Sequence, residues 1–82
     1  SLGRSKKKGW DYIHRGLAYY KLEEKDKAMS DLEYGIALLP GNAQAHYEVG
    51  HVRLSNGDTA GAIKNLNEAI KIDSRHYLAL ID

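Results

Sequence analysis

Three features of the sequence predict an all-α fold of antiparallel helix-turn-helix pairs. Apolar residues recur at steps of three and four, as in Ala28, Leu32, Gly35, Ile36 and Leu39, and draw one stripe down a helix. Polar or breaking stretches separate such segments at 23–26, at Pro40-Gly41-Asn42 and at Asn56-Gly57. Thirty-four residues after the first stripe, Ala62, Leu66, Ala69 and Ile70 stand in the places of Ala28, Leu32, Gly35 and Ile36. No alternating strand pattern competes, and connections this short make neighbouring helices antiparallel.

The first helix is expected over 10–22. Its polar residues Asp11, His14, Arg15 and Lys21 are few, while Trp10, Tyr12, Ile13, Leu17, Ala18, Tyr19, Tyr20 and Leu22 cover most of the circumference. Such a helix must be covered on more than one side. Asp11 and Arg15, four apart with the acid first, are spaced for a helical ion pair. Gly16 sits mid-helix at a cost of about 1 kcal/mol against alanine, which close approach of a neighbouring helix would offset.

The second helix, 25–38, has an acid near its start, where the dipole favours one, and Pro40 stops it. The third, 43–55, carries Ala45, Tyr47, Val49, Val52 and Leu54. Asp58 or Thr59 is placed to cap a fourth helix reaching about residue 72, with Lys64 and Glu68 as a four-spaced pair on its outer face. Ser74 is placed to cap one more helix, beginning near residue 75 and cut off at Asp82.

Eighty-two residues allow one small domain with a marginal core. The absence of cysteine removes disulfides, thiol nucleophiles and cysteine metal sites. No apolar run is long enough to cross a bilayer, so a soluble, cytoplasmic protein without membrane insertion is expected. The net charge of +1 conceals an asymmetry: Arg4, Lys6, Lys7 and Lys8 give +4 in residues 1–8, and 9–82 carry −3. Residues 1–8 therefore read as a disordered basic tail or linker. Four charges without interleaved aromatics make a weak nucleic-acid or membrane site, and a solvated linker is the better reading.

Aligning 9–48 with 43–82 gives five identities: Gly16/Gly50, Ala28/Ala62, Leu32/Leu66, Ile36/Ile70 and Ala45/Ala79. The number is close to chance, but the matches fall on small mid-helix residues and on the core stripe. Together with Tyr12, Tyr19, Gly35 and Pro40, these residues resemble the tetratricopeptide repeat, a 34-residue helix-turn-helix unit. The resemblance assigns 9–42 to a first repeat, 43–76 to a second, and 77–82 to a truncated third repeat or capping helix. The second repeat departs from the family pattern at His46, Arg53 and Ser74. The family's architecture implies a short right-handed solenoid in which each unit contacts its neighbours. Two repeats are fewer than such arrays usually need, so further repeats, a capping helix or a second copy are expected.

The resemblance also implies a binding face. In this family the first helices of successive repeats line a concave groove, and the matching positions here are Trp10, Ile13, Leu17 and Tyr20, then Gln44, Tyr47, His51 and Leu54. Leu78 and Ile81 would follow. The face has no acid, and its aromatics suit a short peptide or partner helix held by one or two large side chains. Chaperone-binding members use a lysine, asparagine and arginine clamp for acidic tails. The corresponding positions, Ile13, Leu17, Glu48, Leu78 and Asp82, do not match it, so no such binding is expected. The competing reading is that these side chains are covered by a flanking helix or by a second copy, making the segment a self-association element.

Other chemistry finds no support. His46 and His51 are five apart, about 140° round the helix, and no acid joins His14, His46, His51 or His76 in a ligand set, so no metal is expected. Ser30, Ser55, Ser74 and Thr59 lack a base and an orienting partner. The glycines are scattered singly and form no phosphate loop. A non-catalytic interaction module is expected, with no cofactor or small-molecule substrate. Nucleic acid is disfavoured by the acidic balance of 9–82.

Overall fold

The computed structural model describes the backbone over residues 2–81 and the side chains over 6–74. It contains four α-helices, α1 (Leu2–Lys21), α2 (Lys25–Leu38), α3 (Ala43–Ser55) and α4 (Thr59–Ile81), and no strand among the described residues. The chain divides into two compact units, 1–40 and 41–82, each a helical hairpin.

In the first unit, glycines set the distance between α1 and α2. A Cβ added at Gly9 would lie 2.7 Å from Leu39 Cγ, and one at Gly16 would lie 2.8 Å from Leu32 Cγ and 3.1 Å from the Ala28 carbonyl. A Cβ at Gly35 would meet Ile13 Cγ1 at 2.6 Å and the Gly9 carbonyl at 2.9 Å. As α1 advances from 9 to 16, its neighbours on α2 retreat from 39 to 28, so the two helices are antiparallel. Ile13, Ala28 and Leu32 are completely buried between them, with Leu39 at 3% exposure.

In the second unit, Ala45, Val49, Ala62 and Ala69 are completely buried and Val52 nearly so. Gly50 faces Leu66, whose Cδ2 would be 3.2 Å from an added Cβ. Both cores are built of small or branched residues, as close helix approach requires.

The two hairpin turns share one geometry. After α1, the Glu23 amide donates to the Tyr20 carbonyl and the Glu24 amide to the Tyr19 carbonyl, with Glu23 at φ +64°. After α3, Gly57 donates to Leu54 and Asp58 to Arg53, with Gly57 at φ +86°. These are Schellman caps, which need one left-handed residue. The helices that follow are capped differently. Asn42 Oδ1 accepts from the Ala45 amide at 3.1 Å to open α3, and Asp58 Oδ1 accepts from the Gly61 amide at 3.0 Å to open α4. Glu24 makes no side-chain cap on α2.

The spans 25–38 and 43–55 are as the spacing predicts. Two expectations need correction. Residues 2–8 do not form a disordered tail, because α1 is helical from Leu2, and Gly9 is buried against Leu39 and Gly35. Lysine and arginine are good helix formers, and their charge does not break the helix. Nor does a new helix start at Ser74: α4 runs unbroken to Ile81. Ser74 and Arg75 stand where the first repeat has Pro40 and Gly41, and neither stops a helix. The side chains of Arg75, His76, Leu78 and Ile81 lie outside the described residues.

Candidate functional site

The open faces of α1 and α3 carry most of the side chains expected to meet a partner. On α1, Trp10, Leu17 and Tyr20 are half-buried. Trp10 lies beside His14, ring centroids 5.7 Å apart and planes tilted by 32°, which gives the helix an aromatic ledge. On α3, Tyr47 is half-buried, while Gln44, His51 and Leu54 are exposed, Leu54 to 51%. Gln44 Nε2 donates to Glu48 Oε1 at 2.9 Å one turn along, so an acid does border this face.

Ile13 does not belong to that set. It is completely buried and packs against Gly35, so it has no surface to offer a partner. The cause is legible along α1: Gly9, Ile13 and Gly16 lie on one stripe and turn together toward α2.

Each unit also holds a polar cluster that the helical spacing does not predict. Arg15 Nε donates to Asp31 Oδ2 at 2.6 Å and Nη2 to Oδ1 at 2.9 Å, a two-pronged ion pair across the hairpin. The Asp11–Arg15 pairing expected from spacing gives way to it, because the carboxylate on α2 meets the guanidinium fork with both oxygens. These hydrogen bonds hold the Asp31 carboxyl below the usual carboxylate range, although burial pulls it upward. The same pairing raises the Arg15 guanidinium above its already high value.

Asn65, thirty-four residues after Asp31, is buried to the same 7% exposure. Its Oδ1 accepts from Arg53 Nη1 at 2.6 Å, and its Nδ2 lies 3.3 Å from His46 Nδ1. Both hairpins thus bury a polar residue at one repeat position and satisfy it with an arginine from the preceding helix. The signal was in the sequence, since Asp31 and Asn65 are one repeat length apart.

Around Arg15 the outer side of the first hairpin is aromatic. Tyr12 and Tyr34 lie 4.5 Å apart, Arg15 sits 5.2 Å over Tyr12, and Lys27 sits 5.7 Å from the Tyr19 ring centre. A shallow depression at the first turn is lined by Glu23, Glu24, Lys25, Asp26 and Lys27 and offers no nucleophile. Among the described residues, no three of His, Asp and Glu gather where they could hold a metal ion. Nor is any described helix long and apolar enough to cross a membrane.

Comparison with known proteins agrees with this architecture. The sequence model of the tetratricopeptide repeat matches residues 12–38 and 43–76. Neutrophil cytosol factor 2 of Bos taurus is 35% identical over 49 residues, which cover 60% of this chain and 9% of that protein. The crystal structure of MamA superposes with a TM-score of 0.73 at 26% identity, covering 84% of this chain and 40% of that one. The chain thus spans less than half the length of either relative.

Proposed function

Since this chain belongs to the tetratricopeptide repeat family, a family of protein-interaction modules, we propose that it binds a peptide or partner helix without catalysing a reaction. Trp10, Leu17 and Tyr20 of the first repeat and Gln44, Tyr47, His51 and Leu54 of the second are the contact residues of this reading. The observation that carries it is the incomplete burial of Trp10, Leu17 and Tyr47. Large apolar side chains left partly open cost less when a partner covers them. The small buried side chains between its two helices hold each hairpin together, and the open faces remain for binding. A soluble, cytosolic setting belongs to the same proposal, in keeping with the name of the bovine relative.

A selection from randomised peptides displayed on phage tests the reading, followed by affinity measurements with Trp10→Ala plus Tyr47→Ala. Binding should be lost while the helical circular dichroism stays. Collapse of the helical signal in the double variant would instead assign both side chains to the core.

One observation favours a second reading. Ile63 and Ile70, seven apart on one face of α4, are 52% and 54% exposed. A second copy that covered them would make the segment a self-association element. Light scattering across a concentration series separates the two readings, a constant monomer mass opposing the second.

A further inference from the structure

The open stripe of α1 does not end with its aromatic ledge. At about 100° per residue, Lys6, Lys7, Trp10, His14, Leu17 and Lys21 fall within an arc of roughly 100° on the helix. All six are exposed or half-buried, and the arc contains no acid. A middle of Trp10, His14 and Leu17 is thus bounded by lysines at both ends, Lys6 and Lys7 at one and Lys21 at the other.

Lys6 and Lys7 lie in the second turn of α1, and the first turn holds no acid. Among the described residues, no ion pair answers Lys6, Lys7 or Lys21. Arg15, by contrast, is fully engaged by Asp31 on a different side of the same helix. Charge complementarity therefore points to a source of negative charge outside this chain.

We propose that the partner of this face is a polypeptide segment with bulky apolar residues at its centre and acidic residues on both sides. The proposal rests on the α1 face being a binding surface and adds the chemistry of what it takes. Fifteen residues separate Lys6 from Lys21, about 22 Å along the helix. An extended segment covers that length in about seven residues and a helical one in about fifteen. A polypeptide is favoured over a nucleic acid because the bulky apolar surfaces of Trp10 and Leu17 occupy the middle of the stripe and its lysines stand only at the ends. A phosphate backbone would need cations all along it.

The test repeats the phage selection on the intact chain and on Lys6→Glu plus Lys7→Glu, with peptide C-termini blocked by fusion. Lys7→Glu sets like charges four apart with Asp11, so helical circular dichroism is recorded alongside, and Lys6→Gln plus Lys7→Gln, which adds no such repulsion, should weaken binding in the same direction. The expected result is enrichment of apolar cores flanked by Asp or Glu. An enriched peptide should bind the variant roughly tenfold more weakly at about 50 mM salt, and the difference should shrink at about 0.5 M. Enrichment of apolar peptides with no acidic bias, and equal binding to both chains, would overturn the proposal and leave the binding face standing. Failure to enrich any peptide would overturn both. A single-stranded oligonucleotide that displaces the selected peptide at lower concentration than the peptide itself would assign the cations to nucleic acid.

Discussion

Arg15 on α1 and Asp31 on α2 are joined by two parallel hydrogen bonds of 2.6 and 2.9 Å, tying the first hairpin together where the second has Val49 and Asn65. Arginine holds its charge at any accessible pH, so the pH dependence of this contact belongs to Asp31. The Asp31 carboxyl is held below its unfolded value of about 3.9. The stability it contributes is therefore present above that value and is lost as pH falls through the folded one. Denaturant midpoints should drop more steeply as the pH falls below about 4 for the natural chain than for Asp31→Asn. Identical slopes would show the pair to be energetically silent.

Glycine 35 tests the close approach of α1 and α2. An added Cβ would meet the Gly9 carbonyl at 2.9 Å, and backbone cannot move aside as a side-chain tip can. Gly35→Ala should lose about 1–3 kcal/mol in chemical denaturation, despite alanine's better helix propensity. Gly41, with nothing within 4 Å of an added Cβ, is the control, and Gly41→Ala should stay within about 0.5 kcal/mol.

The paired Schellman turns make an opposite-signed prediction. Glu23 occupies at φ +64° the left-handed place that Gly57 holds in the second hairpin. Glu23→Gly should raise stability by up to about 1 kcal/mol, and Gly57→Ala should lower it by about the same. Thermal melts of the two variants check this. A melting temperature lowered by Glu23→Gly would mean that the glutamate side chain contributes more than its backbone costs.

How much was legible follows from where the sequence carries its own punctuation. The spans 25–38 and 43–55 were readable because Pro40-Gly41-Asn42 and Asn56-Gly57 end and begin helices by their own stereochemistry. The start of α1 was not, because a run of lysines reads equally as solvated coil or as helix until Gly9 is seen lodged against Leu39. The end of α4 does not follow from the repeat, because the break at Pro40 has no counterpart at Ser74. Ile13 is a similar case: the resemblance assigns its repeat position to a binding face, but its stripe with Gly9 and Gly16 marks the core. Trp10 and Leu17, on the neighbouring stripe, are half-buried.

That division of α1 into a buried and an open stripe has an energetic signature. Ile13→Ala removes a completely buried side chain next to Gly35 and should cost about 2–4 kcal/mol. Leu17→Ala, from a half-buried position, should cost less than about 1.5 kcal/mol. Equal losses would mean that Leu17 is core.

The most direct measurement is a two-dimensional amide and indole NMR titration of the labelled chain with a phage-selected peptide. Saturable shifts should centre on the Trp10 indole, His14, Leu17, Tyr47 and Leu54, with Tyr12, Arg15 and Tyr34 unmoved. Shifts concentrated on Tyr12, Arg15 and Tyr34 would move the partner to the outer side of the first hairpin and contradict the account.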